Sequence, residues 1–501
     1  MENYLIAALS LGAMFLALAL GMPIGFAMGL AGTLGVMAII GVGPGFALLG
    51  QTAYEEVITQ SLSVVPLFVL MGFFASQSGL SAGLYRACNT WIGHRRGGLA
   101  LATIGACGAF AAICGSSLAT AATMSQVALP EMRRYNYDMR LATGSIAAGG
   151  TIGILIPPSV ILVLYGILTE TNIGELFIAG IVPGLLTIIF FMATIVIVTQ
   201  RNPELGPRGV STTGRQKLAA FKDVWGTLLL FLLVIGGIYT GAFSPTEAAS
   251  IGAAGAFNLA AIAFAGSAAG LPRRLLPWAV WSLIAAMALI MIAIIWNLLA
   301  GHEPTDWPDW LRWVIVVPLA CSQILMLAIG RYMYKDVATA LLETAKTTGM
   351  IFMILIGAII VNKFLLISGL AEVLGSWVEN LDMSRMAIMV VILLIYLVLG
   401  CALDALAMIL LTIPIFFPIV QKLGFDPIWF GIIIVMVVEL GLITPPIGMN
   451  VFVIKGLAPT VPLGKIYRGV TPFVIAEILL IILLLLVPDI ATLLPKSMGA
   501  G

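Results

Sequence analysis

Two Pro-Pro pairs, Pro157-Pro158 and Pro445-Pro446, lie in apolar stretches and follow a glycine, Gly153 or Gly441, by four residues. Proline removes a backbone donor and pushes the preceding residue out of helical geometry, while glycine tolerates an unwound turn. Each segment should therefore interrupt a helix and free carbonyl oxygens, which need partners in apolar surroundings. A pair of prolines can also simply kink a helix, but two matching copies favour cation binding, with sodium as the expected ion.

Hydroxyl and carboxylate oxygens that could complete such sites interrupt two other apolar runs, at Ser116-Ser117 and at Asp404. The shift from Ser116 to Asp404 is 404 − 116 = 288, which equals the shift between the Pro-Pro pairs, 445 − 157 = 288. A serine in lipid often bonds to its own helix, and an intramembrane aspartate can pair with a polar neighbour. The mirrored positions favour a functional role for both.

The same shift carries Pro130 to Pro418 and Asp138 to Asp426, so the chain contains a long internal repeat. With 61% hydrophobic and 9% charged residues and a mean hydropathy of +1.12, it is expected to be an all-α polytopic membrane protein.

A net charge of +1 offers no basic field for nucleic acid. The first apolar stretch, 5–20, has no basic leader or cleavage site, so we expect a retained span. The five cysteines are scattered and are expected to serve packing.

Apolar length predicts about 12 full spans. Ten are simple, near 5–20, 24–40, 62–80, 176–199, 224–240, 247–268, 277–300, 311–330, 350–366 and 470–488. Two are broken by Gly and Pro, at 141–168 and 428–456. The apolar segments 99–130 and 388–418 have polar midpoints and are predicted to be re-entrant hairpins whose tips meet near mid-membrane.

Basic residues test this layout. All Lys and Arg residues except five fall on one predicted side, which the positive-inside rule makes cytoplasmic. The exceptions are Lys363, which lies inside a span, and Arg312, Arg385, Lys422 and Lys496. The loop after the first hairpin is then cytoplasmic and its counterpart lies outside. The repeats are therefore predicted to be inverted, which permits alternating access around a central site.

This layout divides the chain into four parts. They are repeat 1 at 1–200, scaffold spans of repeat 2 at 201–270, an insertion at 271–333, and the remainder of repeat 2 at 334–501. The insertion follows from unequal shifts between the two repeats. Pro23 aligns with Pro245 at a shift of 245 − 23 = 222, whereas Gly79 aligns with Gly369 at a shift of 369 − 79 = 290. The second repeat therefore contains 290 − 222 = 68 additional residues. It contains two extra spans and an acidic, tryptophan-rich outer loop at 302–310, for which interfacial anchoring is the expected role. Amphipathic arms are predicted at 44–60 and 334–348.

Six blocks in order along the chain resemble the large membrane subunit of tripartite ATP-independent periplasmic (TRAP) transporters. They are Ser63–Phe68, Gly115–Ser117, Gly153–Ser159, Ser244–Ala249, Glu343–Met350 and Glu439–Val451. The resemblance implies an elevator-type fold like that of the ion transporter superfamily, and a sodium-driven carrier of small organic acid anions in the bacterial inner membrane. It also implies two partners, a P-type periplasmic binding protein and a Q-type small subunit with four helices. No cofactor is implied besides the coupling Na⁺.

The resemblance also assigns residues. The first sodium site would involve Ser116, Ser117, Gly153 and Pro157. The second would involve Asp404, Gly441 and Thr444. The anion would bind between the hairpin tips and the broken helices, near Ser159 and Asn450, although each could instead satisfy unwound backbone. For Glu247 and Glu439 we expect structural pairing.

Other functions are disfavoured. An enzyme is not expected, because the two histidines, His94 and His302, lie outside the predicted transport core and on opposite sides. A channel does not need mirrored hairpins and broken helices. A self-sufficient sodium and anion symporter that needs no binding protein is the alternative that remains.

Overall fold

The computed structural model describes residues 3–267, 333–379, 383–401 and 403–498, and three single positions at 285, 317 and 324. Within these residues the chain is helical and has no β-strand. The predicted extra spans at 277–300 and 311–330, and the loop at 302–310, lie outside the described residues apart from those single positions.

The first described range contains thirteen α-helices. They are α1 (Asn3–Ala19), α2 (Ile24–Ile40), α3 (Val42–Ile58), α4 (Val64–Gln77), α5 (Leu80–Ile92), α6 (Gly98–Cys114), α7 (Ser117–Arg134), α8 (Met139–Leu155), α9 (Val160–Thr169), α10 (Ile173–Arg201), α11 (Gly214–Ala220), α12 (Trp225–Tyr239) and α13 (Pro245–Ser267).

The later ranges contain eight more. They are α14 (Tyr334–Ser368), α15 (Leu370–Glu379), α16 (Arg385–Gly400), α17 (Ala405–Lys422), α18 (Pro427–Ile443), α19 (Met449–Leu457), α20 (Leu463–Leu486) and α21 (Asp489–Met498).

Side-chain caps define the starts of the central helices. Ser116 caps α7 and Asp404 caps α17, while Asp138 caps α8 and Asp426 caps α18. These short polar side chains accept hydrogen bonds from the first backbone N–H groups, which have no partner within their own helix. The capping residue at each position is therefore sufficient to define where these four helices begin.

The sequence repeat is also a repeat of helices. Helices α7 and α17 each have 18 residues, α8 and α18 each have 17, and both pairs start 288 positions apart (405 − 117 and 427 − 139). Both Pro-Pro peptide bonds are cis and follow α8 and α18. The helix pairs α6–α7 and α16–α17 match the predicted hairpins, and α8–α9 and α18–α19 match the predicted broken helices. How the two halves are oriented across a membrane remains a prediction.

Among the described residues, five helices are long and apolar enough to cross a membrane, or up to eight when each sharply bent pair is one span. The five include α17, which the sequence analysis assigns to a re-entrant hairpin. The predicted total of about 12 spans remains a prediction.

The predicted boundary between an arm and a membrane span in the second repeat is absent. The arm at 334–348 and the span at 350–366 form a single helix, α14, of 35 residues. At 1.5 Å per residue it is about 52 Å long, longer than the roughly 30 Å apolar thickness of a bilayer. Its polarity changes near Gly349, but no proline interrupts it, so the helix continues. In the first half, the corresponding helices α3 and α4 are separated by Thr59–Ser63.

Helices α8 and α18 form the centre of the fold. Every residue of α8 from Leu141 to Leu155 is buried, and so is every residue of α18 from Trp429 to Ile443. Helix α8 packs against α6, α7 and α20, and α18 packs against α16 and α20. Outside this centre, α2 packs along α14 and α4 packs along α13. The broken helices are thus held by the hairpins on one side and α20 on the other.

Candidate functional site

The first hairpin tip is a two-residue break between α6 and α7. Gly115 has a φ of +61°, a left-handed conformation that favours glycine, and Ser116 is extended at φ −138°. The Ser116 Oγ accepts a hydrogen bond of 3.4 Å from the Ala119 N–H. Ser117 is 4% exposed. The tip therefore presents hydroxyl oxygens at the start of a helix.

This tip lies directly against the first broken helix. A Cβ added to Gly153 would lie 2.8 Å from the Ser116 carbonyl oxygen, and one added to Gly115 would lie 2.8 Å from the Pro158 carbonyl oxygen. Any larger side chain at these two positions would separate the segments. The structure thus brings Ser116 and Gly153 together, and the sodium ion expected between them stays a prediction.

The second tip is the segment between α16 and α17 that ends at Asp404. The Asp404 Oδ1 accepts hydrogen bonds from the N–H groups of Leu406 and Ala407 at 2.9 and 3.0 Å. Both bonds go to the same oxygen. The carboxylate thus caps α17 and leaves Oδ2 without a described hydrogen bond.

The second tip lies against the second broken helix in the corresponding way. A Cβ on Gly441 would lie 2.7 Å from both the Cα and the carbonyl carbon of Gly400. The Gly448 N–H donates to the Cys401 carbonyl oxygen at 3.3 Å, and the Cys401 Sγ donates to the Pro445 carbonyl oxygen at 3.4 Å. These contacts connect the tip to the unwound turn after α18.

A cavity of about 240 Å³ lies where the two tips meet. Three of the predicted sodium-site residues line it, Ser116, Ser117 and Asp404. Four do not: Gly153, Pro157, Gly441 and Thr444. Gly153 and Gly441 pack behind the tips, and the Thr444 Oγ1 donates to the Leu440 carbonyl oxygen of its own helix at 2.6 Å.

The two predicted substrate neighbours also lie outside the cavity. Ser159 is fully buried, and its Oγ accepts a hydrogen bond of 3.4 Å from the Leu162 N–H at the start of α9. Asn450 is fully buried, and its Nδ2 donates to the Ala147 carbonyl oxygen at 3.4 Å. In this conformation both satisfy backbone groups, although the Asn450 Oδ1 has no described partner.

Helices α4 and α14 complete the cavity wall with residues that the sequence analysis did not assign. Ser76 of α4 and Thr347 of α14 add hydroxyl groups, and Phe73 and Ile351 add apolar surface. Thr347 belongs to the Glu343–Met350 block that carried the family resemblance, which was the available signal. No feature of the sequence pointed to Ser76, since only the packing of α4 brings it to the tips.

The cavity combines two kinds of charge. The first residues of α7 and α17 line it, so two helix N-termini give it partial positive charge. Asp404 supplies one carboxylate beside the serine hydroxyls, and no Lys or Arg is among the lining residues. Hard oxygen ligands suit a cation such as sodium, and the helix N-termini suit an anion. Among the described residues, no group of three His, Cys, Asp or Glu could hold a metal ion.

The two expected structural pairings have different outcomes. The Glu247 Oε2 accepts hydrogen bonds from the Ser244 N–H and Oγ at 2.8 and 2.9 Å at the start of α13, so its pairing is confirmed. Glu439 is fully buried on α18, and its carboxyl group lies close to the Ile154 and Leu155 N–H groups at the end of α8, without a hydrogen bond of good geometry. It also lies beside Glu477 of α20, which is equally buried and whose carboxyl oxygens have no described hydrogen-bond partner. The expected structural pairing of Glu439 therefore stays a prediction, with the end of α8 as its nearest polar neighbour.

Sequence comparison relates the chain to known proteins. The family described as "Tripartite ATP-independent periplasmic transporter, DctM component" matches residues 11–302 and 274–490. The C4-dicarboxylate TRAP transporter large permease protein DctM of Pseudomonas aeruginosa is 33% identical, over 88% of this chain and 87% of its own length. The DctM protein of Vibrio cholerae is 30% identical, over 95% and 94%. The sialic acid TRAP transporter large permease protein SiaM of Vibrio cholerae is 26% identical, over 95% of each chain.

Among solved structures, the YdaH transporter of Alcanivorax borkumensis aligns with 91% of this chain and 90% of its own, with a TM-score of 0.46 and 19% identity.

Proposed function

Because this chain belongs to the DctM family, the large permease component of TRAP transporters, we propose that it imports a small organic acid anion driven by a sodium gradient. The observation that carries the proposal is the cavity between the two hairpin tips. There the Asp404 carboxylate, the hydroxyls of Ser116 and Ser117, and two helix N-termini converge.

Sodium coupling is supported by the oxygen atoms at both tips. In the proposed first site, Ser116 and Ser117 act with the backbone of the broken helix near Gly153 and Pro157. In the second, Asp404 acts with the backbone near Gly441 and with Thr444. The Asp404 Oδ2, which has no described hydrogen bond, is the atom best placed to bind a cation.

For the substrate we propose a carboxylate anion. Curated relatives are named for C4-dicarboxylate, sialic acid and 2,3-diketo-L-gulonate. The N-termini of α7 and α17 would attract a carboxylate, and Ser76 and Thr347 could donate hydrogen bonds to it. Ser159 and Asn450 would have to leave their buried backbone contacts to take part.

We further propose an elevator movement in which the hairpins and broken helices travel together past α4 and α14. One contact supports this division. A Cβ on Gly72 of α4 would lie 2.6 Å from the Cys114 carbonyl oxygen at the first tip. At Gly72 the two units thus meet through main-chain atoms, with no side chain between them.

As partners we propose a periplasmic binding protein that delivers the anion and a small membrane subunit with four helices, with the assembly in the bacterial inner membrane. A relative named isethionate TRAP transporter permease protein DctMQ supports the second partner, since this chain covers 64% of its length and leaves room for a fused segment. The alternative is a symporter that needs no binding protein.

Uptake in proteoliposomes tests the proposal. The large chain, the small subunit and the binding protein are assayed with and without an inward sodium gradient, comparing Asp404→Asn with Asp426→Asn. Asp426 is a matched control because its Oδ1 caps α18 with bonds of 2.8 and 3.0 Å to the Ile428 and Trp429 N–H groups, and it does not line the cavity.

Sodium-dependent uptake that Asp404→Asn abolishes and Asp426→Asn retains would support the proposal. Uptake that is indifferent to sodium would refute sodium coupling, and uptake without the binding protein would favour the self-sufficient symporter.

A further inference from the structure

Two adjoining hollows of about 420 and 480 Å³ lie at the end of the molecule where α8 and α20 begin. They share Pro462 and Lys465 and form one basic cavity. Its charged lining residues are Arg133, Arg140, Lys465, Arg468 and Asp138. Four positive charges face one negative charge, which leaves an excess of three. This site is separate from the cavity between the hairpin tips.

The basic residues come together because α8 and α20 pack backbone to backbone. A Cβ on Gly469 would collide with the Arg140 carbonyl oxygen, and one on Gly144 would collide with the Gly469 carbonyl oxygen. This close crossing places the start of α8 beside the first two turns of α20. Arg140 and Arg468 therefore line the same hollow.

Ion pairs within the basic cavity neutralise only part of its positive charge. The Asp138 carboxylate contacts Arg140 at 3.2 Å and Lys465 at 3.6 Å. The Arg133 guanidinium donates to the Thr460 Oγ1 at 3.4 Å. Arg468 has no ion pair or hydrogen bond with any described side chain. The start of α20 is also uncapped by any side chain, so its first N–H groups add partial positive charge.

The position of the cavity points to lipid. Beyond Arg468, the exposed face of α20 continues through Ile475, Leu479 and Ile482, which are 54%, 54% and 45% exposed. Their spacing keeps them on one side of a helix that is long enough to span a membrane. Arg468 lies about 10 Å along the helix from Ile475, at the end of this apolar stripe. Lys465 and Arg468 fall on the predicted cytoplasmic side, where the leaflet carries anionic lipids.

We propose that this basic cavity binds the phosphate headgroup of an anionic phospholipid in the cytoplasmic leaflet, whose acyl chains lie along the apolar stripe of α20. The free guanidinium group of Arg468 would hold two phosphate oxygens at once, and Lys465 would supply a point charge. Arg140, whose guanidinium already donates to both carboxylate oxygens of Asp138, would add positive charge beside them. This lipid site is independent of the transported anion and of the sodium sites.

Lipid binding to the purified full-length chain in detergent tests the proposal, with native mass spectrometry as the readout. Phosphatidylglycerol is compared with phosphatidylcholine, and inorganic phosphate is a third arm that separates a lipid site from a free-anion site. The variants are Arg468→Gln and Arg468→Gln combined with Lys465→Gln. Arg96→Gln is the matched control, because Arg96 is an exposed arginine on the same predicted side that lines neither hollow.

We expect phosphatidylglycerol to bind more tightly than phosphatidylcholine. Affinity should fall about fivefold for each basic residue removed and stay unchanged in Arg96→Gln. Arg468→Gln breaks no described hydrogen bond or ion pair, so it should fold. Equal binding of the two lipids, or equal binding by Arg468→Gln and Arg96→Gln, would overturn the proposal. Inorganic phosphate that displaces phosphatidylglycerol at similar concentration would overturn the lipid assignment.

Discussion

Gly441 and Gly400 lie so close that a single added methyl group on Gly441 would stand 2.7 Å from the Gly400 Cα. One belongs to the broken helix α18, and the other ends α16 at the second hairpin tip. The contact is backbone against backbone, so no side-chain rotation could relieve a collision. The first tip shows the same relationship between Gly153 and Ser116.

Gly441→Ala should therefore separate the second tip from its broken helix. We expect a loss of about 1–3 kcal/mol in stability, the usual range for overpacking, seen as a lower thermal unfolding midpoint. Gly456→Ala is the control, because Gly456 lies in α19 with no atom within 4 Å of an added Cβ, and it should change stability by less than about 1 kcal/mol. Equal midpoints for the two variants would show that the tip contact is not rigid.

Ser116→Ala should weaken sodium-dependent protection, because it removes a ligand of the first proposed site and leaves the second site, at Asp404, intact. The wild type should unfold at a higher temperature in NaCl than in choline chloride. Each proposed site should add about 1.4 kcal/mol of stability when sodium is tenfold above its Kd. Ser159→Ala is matched, since both serines cap a helix through a bond of 3.4 Å but Ser159 lies outside the cavity. Both variants should lose similar basal stability, and only Ser116→Ala should lose part of the sodium effect. A sodium effect in Ser116→Ala as large as in the wild type would exclude Ser116 as a ligand.

Thr347→Val keeps the shape of a cavity-lining side chain and removes its hydroxyl. If that hydroxyl binds the anion, uptake at low substrate concentration should fall about 2- to 13-fold, the equivalent of one hydrogen bond of roughly 0.5–1.5 kcal/mol. Thr348→Val is the control on the next residue, where the hydroxyl is buried without a partner and its removal should not reduce uptake. Similar uptake in both variants would place the substrate away from α14.

Stability at low pH should depend on Asp138, the cap of α8 on the predicted cytoplasmic side. Burial alone would raise the pKa of this carboxyl, but hydrogen bonds from Arg140 and the charge of Lys465 hold the pKa below its ordinary value. The stabilising contribution is then present above the pKa of the unfolded chain, about 3.9, and is lost as pH falls through the lower folded value.

Thermal unfolding measured downward from pH 5 should therefore show a decline in the wild type that is shallower in Asp138→Asn. Parallel curves for the two proteins would mean that Asp138 does not titrate with folding.

Much of the central architecture could be predicted from the sequence because its signals are local. Pro157 and Pro445 break their helices by removing donors, and Ser116, Asp138 and Asp404 start theirs by capping, without help from distant residues. The mirrored spacing then indicated that the two tips correspond, and the structure places both on one cavity.

Other features depend on packing between distant segments and left no local signal. Ser76 reaches the cavity only because α4 lies against the first tip, and Asn450 is buried only because α19 crosses α7 and α8. The division of α14 into an arm and a span was wrong for another reason. A change in polarity along a helix indicates where its surroundings change, and only backbone chemistry indicates where it ends.

The glycine contacts at the tips have a consequence for how this protein can diverge. Because each tip is fitted by main-chain atoms at Gly153 and Gly441, the fit does not depend on which side chains face the cavity. Residues that line the cavity, such as Ser76 and Thr347, can thus be replaced in evolution without disturbing the main-chain contact between each tip and its broken helix. A single backbone mechanism could in this way serve many different cargoes, with new specificity acquired by point substitution and not by refolding.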